Sequence, residues 1–238
     1  MLRDTIIGVK ALSRSARSRT RKKINPLKLL RLVSLSVIAI LLLNEFREQI
    51  QRRSPLVPFF NGYEPQPLVM TGGDPYIRAL MRTITASESN VERPYNVLYG
   101  GKYVSDLSKH PQQCVPIVTG PNVGNCTTAA GRYQFLNTTW YEKAEKYHPS
   151  PSGLLWWKSY SFEPEYQDRV IYAWLKDPQA WGVNISQLLK EGKVEEVLRL
   201  LSGTWTSLGY GIETNSMSPH LPKIYEKMLR QELGHHIS

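Results

Sequence analysis

The 238-residue chain is short of three things: cysteine, surplus charge over most of its length, and uninterrupted apolar sequence. Each shortage excludes something. Two cysteines, Cys114 and Cys126, cannot build a disulfide-rich scaffold, and they form no zinc-ligand spacing, so no metal or cofactor is expected. The net charge of +10 suggests nucleic acid until it is mapped. Residues 1–53 hold 13 Lys/Arg against 3 Asp/Glu, whereas residues 54–238 hold 17 of each. Most of the chain is therefore neutral, which argues against a basic nucleic-acid-binding domain.

The apolar shortage is subtler. The uncharged run 32–43 is shorter than the roughly 20 residues a bilayer core requires. Taking residues 27–46 reaches that length, with Lys28, Arg31 and Glu45 near enough to the ends to snorkel. The basic flank then reads as positive-inside. The expected organisation is a basic cytoplasmic tail over 1–26, a transmembrane signal anchor over 27–46, a proline-rich linker over 47–73, and one folded domain over 74–238. The domain is then membrane-anchored and outside the cytoplasm. No small-x-small pattern follows Leu43, which favours a retained anchor over a cleaved signal peptide; a buried or interfacial helix is the third reading. Export also favours a Cys114–Cys126 disulfide over two free thiols, worth about 3 kcal/mol in the chain-entropy model.

The domain is organised around the stretch from Asp74 to Asn90. Asp74 can cap free backbone N–H groups, and Pro75 suits a first helical position. Ile77, Leu80, Met81 and Ile84 recur at helical spacing, and the same stripe continues onto Glu88. A carboxylate ending a core-facing stripe is partly desolvated, which favours the protonated form that a general acid needs. The run from Tyr95 to Ser105, with Gly100-Gly101 at its centre, predicts a β-hairpin ending at Asp106. Asp106 is thereby a candidate second carboxylate facing Glu88 across a cleft, the arrangement of many glycan-cleaving sites. Helices are predicted from Asn137 or Thr138 to Tyr147, from Pro164 through Leu175, over 185–190 and 194–201 with Gly192 between, and over 222–233. Mostly helical with one small hairpin is an α+β arrangement.

Aromatic residues exceed what a core of this size requires: Tyr99, Tyr103, Tyr133, Trp140, Trp156, Trp157, Trp205 and Tyr210. Their faces, with the amides of Asn96 and Gln134, suit flat sugar rings edged with hydroxyls. At least half are expected in the core or hairpin, Trp140 among them. Trp174, also on a helical stripe, belongs to the core as well.

The order of motifs between about Leu80 and Leu229 resembles the lambda-phage endolysin family of lytic transglycosylases, which has a lysozyme-like fold. The matching pieces are Ser87-Glu88; Tyr95-x-Val97-x-x-Gly100-Gly101; Ser105-Asp106-x-Ser108-x-His110-Pro111; Thr128-Ala129-Ala130-Gly131-Arg132-Tyr133-Gln134; Phe162-x-Pro164-x-x-Gln167-Asp168; and Trp205-x-Ser207-Leu208 followed by Gly209-Tyr210-Gly211. The resemblance implies that Glu88 is the catalytic acid/base. It also implies that Tyr99, Arg132, Tyr133, Gln134, Trp205, Ser207 and Tyr210 bind the glycan. It implies a peptidoglycan substrate and cleavage after N-acetylmuramic acid without water, giving a 1,6-anhydro sugar. Leu107 and Lys109 stand where the phage pattern has Tyr and Asp. The alternatives are a hydrolytic lysozyme using Asp106 to activate water, and a non-catalytic peptidoglycan-binding module.

Overall fold

The computed structural model describes residues 64–118, 122–154, 157–211 and 216–235. The expected basic tail, the membrane segment over 27–46 and the linker up to residue 63 lie outside these residues. Among the described residues no helix is long and apolar enough to cross a membrane.

The central element is α1 (Pro75–Glu88). Asp74 Oδ1 accepts from Tyr76 N at 2.9 Å and Pro75 occupies the first turn, as the sequence predicts. The burial goes further than one stripe. Every residue from Ile77 to Ala86 except Arg78 is buried, so α1 runs through the protein rather than along its surface. Its polar residues survive there because each is partnered. Thr83 and Thr85 donate back to Ala79 O and Met81 O. Arg82 pairs with Glu232 at 3.1 Å, and Glu232 also holds Arg78 at 2.6 Å. Glu232 lies on α7 (Leu221–His235), which packs along α1.

The other helices surround this pair: α2 (Asn137–Tyr147), α3 (Pro164–Lys176), α4 (Pro178–Trp181), α5 (Ile185–Lys190) and α6 (Val194–Leu201). The bounds of α2, α3, α5 and α6 follow the sequence reading closely, whereas that reading does not predict the short α4. At the start of α2, however, Leu136 holds the cap position and Asn137 is already helical. Among the described residues the sheet is a two-stranded antiparallel ladder, β1 (Val115–Pro116) with β2 (Cys126–Thr127). The Cys114–Cys126 disulfide closes this ladder, with the Cα atoms 5.4 Å apart.

The hairpin predicted over 95–105 is the main difference. Gly100 and Gly101 do reverse the chain, both at positive φ. The pairing there is a single bridge, Val97 with Tyr103, between 3-10 turns at Pro94–Asn96 and Tyr99–Gly101. Val97 and Leu98 are occupied elsewhere: Val97 O accepts from Gly131 N, and Leu98 bridges to Ala130. The ladder stops at one bridge because the chain enters 3-10 turns on both sides of Val97-Leu98.

A second difference concerns residues 64–73, expected as part of the linker. Pro65, Leu68 and Met70 are buried, and the backbone of 65–70 partners the domain interior. Arg132, on the loop before α2, is fully buried. It donates to Gln66 O, Pro67 O, Thr85 Oγ1 and the Tyr95 hydroxyl. Asp168 on α3 accepts from Val69 N, Met70 N and the hydroxyls of Tyr95 and Tyr133. The proline spacing that suggests a free spacer instead presents a row of unpaired carbonyl and amide groups to two buried charges. We refer to residues 65–70 as the strap.

Two His-Pro pairs bracket an aromatic cluster of Phe135, Trp140 and Phe162. His110 Nε2 faces Phe135 O at 2.8 Å while its Nδ1 accepts from Gln112 N. His148 repeats the pattern with Ser161 O and Ser150 N. An imidazole that accepts at one nitrogen and donates at the other is neutral. Burial pushes both histidines below the usual imidazole range.

Candidate active site

Glu88 is the last residue of α1 and half-buried. The helix stops there because Ser89 leaves helical geometry; its N–H still bonds Thr85 O, and its hydroxyl donates to Arg132 O at 2.6 Å. The chain beyond Glu88 is thus tied to the buried interior while the carboxyl group faces a cleft of about 710 Å³. The cleft is lined by Ser87, Glu88 and Asn90 from α1 and its exit. The turn from Val97 to Gly101 and Gln134 contribute further, as do Met217 and His220 ahead of α7.

The wall opposite the helix depends on backbone shapes that few residues adopt. Gly131, at φ 73°, is packed so closely that an added Cβ would stand 2.3 Å from Gln167 Oε1 and 2.8 Å from Phe162 Cζ. Gly131 therefore has no room for a side chain, and the turn it makes brings Gln134 to the cleft. Gln134 itself sits at φ 47°, and its amide donates to Gly131 O at 2.9 Å.

Ser207, on the 3-10 turn Thr206–Leu208, approaches Glu88 from a distant part of the chain. Its Oγ is hydrogen-bonded to Glu88 Oε1 and lies 3.1 Å from Ser87 Oγ. Ser87 Oγ in turn donates to Ile84 O at 3.1 Å. The carboxyl group is thereby joined to a short series of hydroxyls that ends on a backbone carbonyl.

The residues expected to bind glycan separate into two sets. Tyr99 and Gln134 line the cleft and Ser207 touches Glu88. Arg132, Tyr133 and Trp205 do not reach it. Arg132 and Tyr133 are fully buried around Asp168, and Trp205 is buried with its Nε1 donating to Tyr133 O at 3.0 Å. Trp205 stacks with Trp181 and lies tilted at 47° against Trp174. Tyr210 is exposed, is not among the cleft residues, and lies under the Arg199 guanidinium at 4.7 Å. Asp106 is also outside the cleft lining. It is exposed and caps its own turn through Ser108 N at 2.9 Å; the Ser108 side chain first and its N–H second hold the carboxyl below the usual carboxylate range. The expected carboxylate facing Glu88 is therefore not Asp106; an aspartate at a predicted strand end reads the same whether it faces a cleft or its own turn.

Sequence reasoning did not single out Asn90, Met217 or His220 as site residues. Asn90 carried a signal, lying two residues past Glu88. His220 and Met217 carried none, since only the packing of α7 against α1 brings them to the cleft.

Comparison with known proteins adds to this geometry. The family model described as Endolysin matches residues 78–231. An endolysin of Escherichia phage lambda is 30% identical over 122 residues, covering 49% of this chain and 64% of the relative. The chain thus spans less than two thirds of that relative's own length. Two solved structures are similar. Bacteriophage lambda lysozyme complexed with a chitohexasaccharide has a TM-score of 0.49 at 24% identity, covering 67% of this chain and 97% of the other. Lysozyme from bacteriophage lambda has a TM-score of 0.47 at 22% identity, covering 68% and 97%.

Proposed function

The chain belongs to the Endolysin family, and from that premise we propose that it degrades peptidoglycan as a lytic transglycosylase with Glu88 as its acid/base. The observation that carries this reading is the cleft itself. Among its described lining residues Glu88 is the sole carboxylate. Hydrolysis of the two-carboxylate kind requires a partner to activate water or form a covalent intermediate. A transglycosylase needs one carboxyl group, because the nucleophile belongs to the substrate.

Glu88 donates its proton to the bridging oxygen between N-acetylmuramic acid and N-acetylglucosamine as the C1–O bond breaks. The muramoyl 6-hydroxyl then bonds to C1, and its proton passes to the Glu88 carboxylate. The products are a 1,6-anhydromuramoyl end and a free 4-hydroxyl, and Glu88 is returned to its starting form. The hydroxyl series orients the acid: the Ser207 hydroxyl donates to Glu88 Oε1, and Ser87 Oγ lies 3.1 Å from Ser207 Oγ.

Mass spectrometry of digested peptidoglycan tests the proposal. Anhydromuropeptides are the expected product; reducing-end muramic acid in their place would overturn the transglycosylase assignment in favour of a lysozyme. Glu88→Gln lowers activity at least about 100-fold, the scale of a lost general acid. Glu213 lies outside the described residues, so Glu213→Gln is the matched control and should retain activity. Loss in both variants would mean a second carboxylate takes part.

A further inference from the structure

A second cavity lies beside the Glu88 cleft. It has a volume of about 660 Å³ and sits between the disulfide-closed loop and the start of α2. Asn122, Asn125, Thr128, Leu136, Asn137 and Thr138 make most of its wall. None of its lining residues carries a charge. We infer that this groove is a second glycan-binding subsite, holding neutral sugar rings of the same strand whose cleavage point lies at Glu88. The inference rests on the peptidoglycan reading above and extends it to a region with no assigned role.

Three observations support it. The first is the chemistry of the wall: amides and hydroxyls offer the mixed donors and acceptors that sugar hydroxyls use, and Leu136, 44% exposed, offers an apolar surface for a ring face. The acidic peptide stems of peptidoglycan would find no cation there among the described residues. Second, the polar groups are set before any ligand arrives. Thr128 Oγ1 donates to Asn137 Oδ1 at 3.0 Å and accepts from Asn137 N at 3.0 Å. The Asn137 amide is thereby oriented, and its NH2 has no partner among the described residues. Preorganised groups lose less entropy on binding.

The third observation is continuity. Gln134 lines the Glu88 cleft and Leu136 lines the groove, on either side of Phe135. Phe135 is bridged to Ala130, which is itself bridged to Leu98 on the cleft wall. Tyr99 N bonds Ala129 O at 3.0 Å, one residue beyond Thr128 of the groove. The Gln134 and Leu136 backbone positions are at most about 7 Å apart, so the walls they belong to lie within the reach of one polymer.

The test uses the full chain carrying Glu88→Gln, so that binding proceeds without turnover. Chitin trimer and hexamer, which are neutral, are titrated by calorimetry. The hexamer is expected to bind at least about tenfold tighter than the trimer. Thr138 is exposed in the first turn of α2, so Thr138→Trp fills the groove from outside the core. In that background the hexamer-to-trimer ratio falls to about one. A second measurement needs no substitution in the groove: the side-chain amide signals of Asn122, Asn125 and Asn137 shift with hexamer but not with trimer. A ratio that survives Thr138→Trp, with unmoved amide signals, overturns the groove. Amides that shift with an acidic stem peptide and not with the hexamer overturn its assignment to glycan. If neither oligomer binds, the glycan reading itself falls.

Discussion

Two polar regions stand back to back on α1, and they are built on opposite rules. Behind the helix, Arg132, Asp168, Tyr95 and Tyr133 form a hub with little or no solvent exposure, in which each charged group is surrounded by fixed partners. In front, Glu88 and Ser207 are half-buried and open to a cleft of about 710 Å³. Both regions draw on the same short motif. In Gly131-Arg132-Tyr133-Gln134, the central pair faces the hub and Gln134 faces the cleft. One stretch of sequence thus serves the buried hub and the cleft at adjacent positions. Substitutions in the hub should lower stability, whereas those in the cleft should lower turnover and leave the fold intact.

The largest effect is expected from Asp168→Ala. It strands three donors, Met70 N and the Tyr95 and Tyr133 hydroxyls, leaves Val69 N only the Tyr95 hydroxyl, and removes the carboxylate that offsets the Arg132 charge, a loss of about 3–5 kcal/mol. Urea unfolding measures it, and a loss below about 1 kcal/mol would break the distinction between hub and cleft. Glu88→Gln is the converse, with activity down at least about 100-fold and the urea midpoint unmoved. A smaller change comes from Ser207→Ala, which removes one hydrogen-bond partner of the Glu88 carboxyl group. About a tenfold fall in kcat with KM held is expected, together with an altered pH–rate profile. A rise in KM alone would make Ser207 a substrate contact instead.

The mildest perturbation is acid. His110 and His148 are neutral when folded and lie below the usual imidazole range, whereas unfolded they titrate near 6.5. Below that pH the unfolded chain binds protons that the folded chain refuses, so stability is complete above about 6.5 and declines as pH falls. The urea midpoint should therefore drop between pH 7 and pH 5; a level profile would show that the two imidazoles are not held neutral.

The same division explains what could be read in advance. Helix starts and stops were legible because capping and proline signals are local, as at Asp74 and Pro164. Glu88 was legible because its place on the apolar stripe marks it as half-buried. Arg132, Tyr133 and Trp205 were assigned to the cleft because a motif records which residues recur together, not which way they face. Arginine, tyrosine and tryptophan suit a sugar site and a buried polar hub equally well. His220 could not be found at all, since only long-range helix packing brings it to the cleft.

The strap bears on where this protein can be cut. Proline content places the domain start at Asp74, yet the backbone groups of Gln66, Pro67, Val69 and Met70 serve Arg132 and Asp168. A truncated chain starting at residue 74 would keep every described helix and every described residue lining the cleft. It would also open two buried charges to water directly behind the helix that carries Glu88. The functional boundary of the domain therefore lies at or before residue 64, on the far side of its prolines.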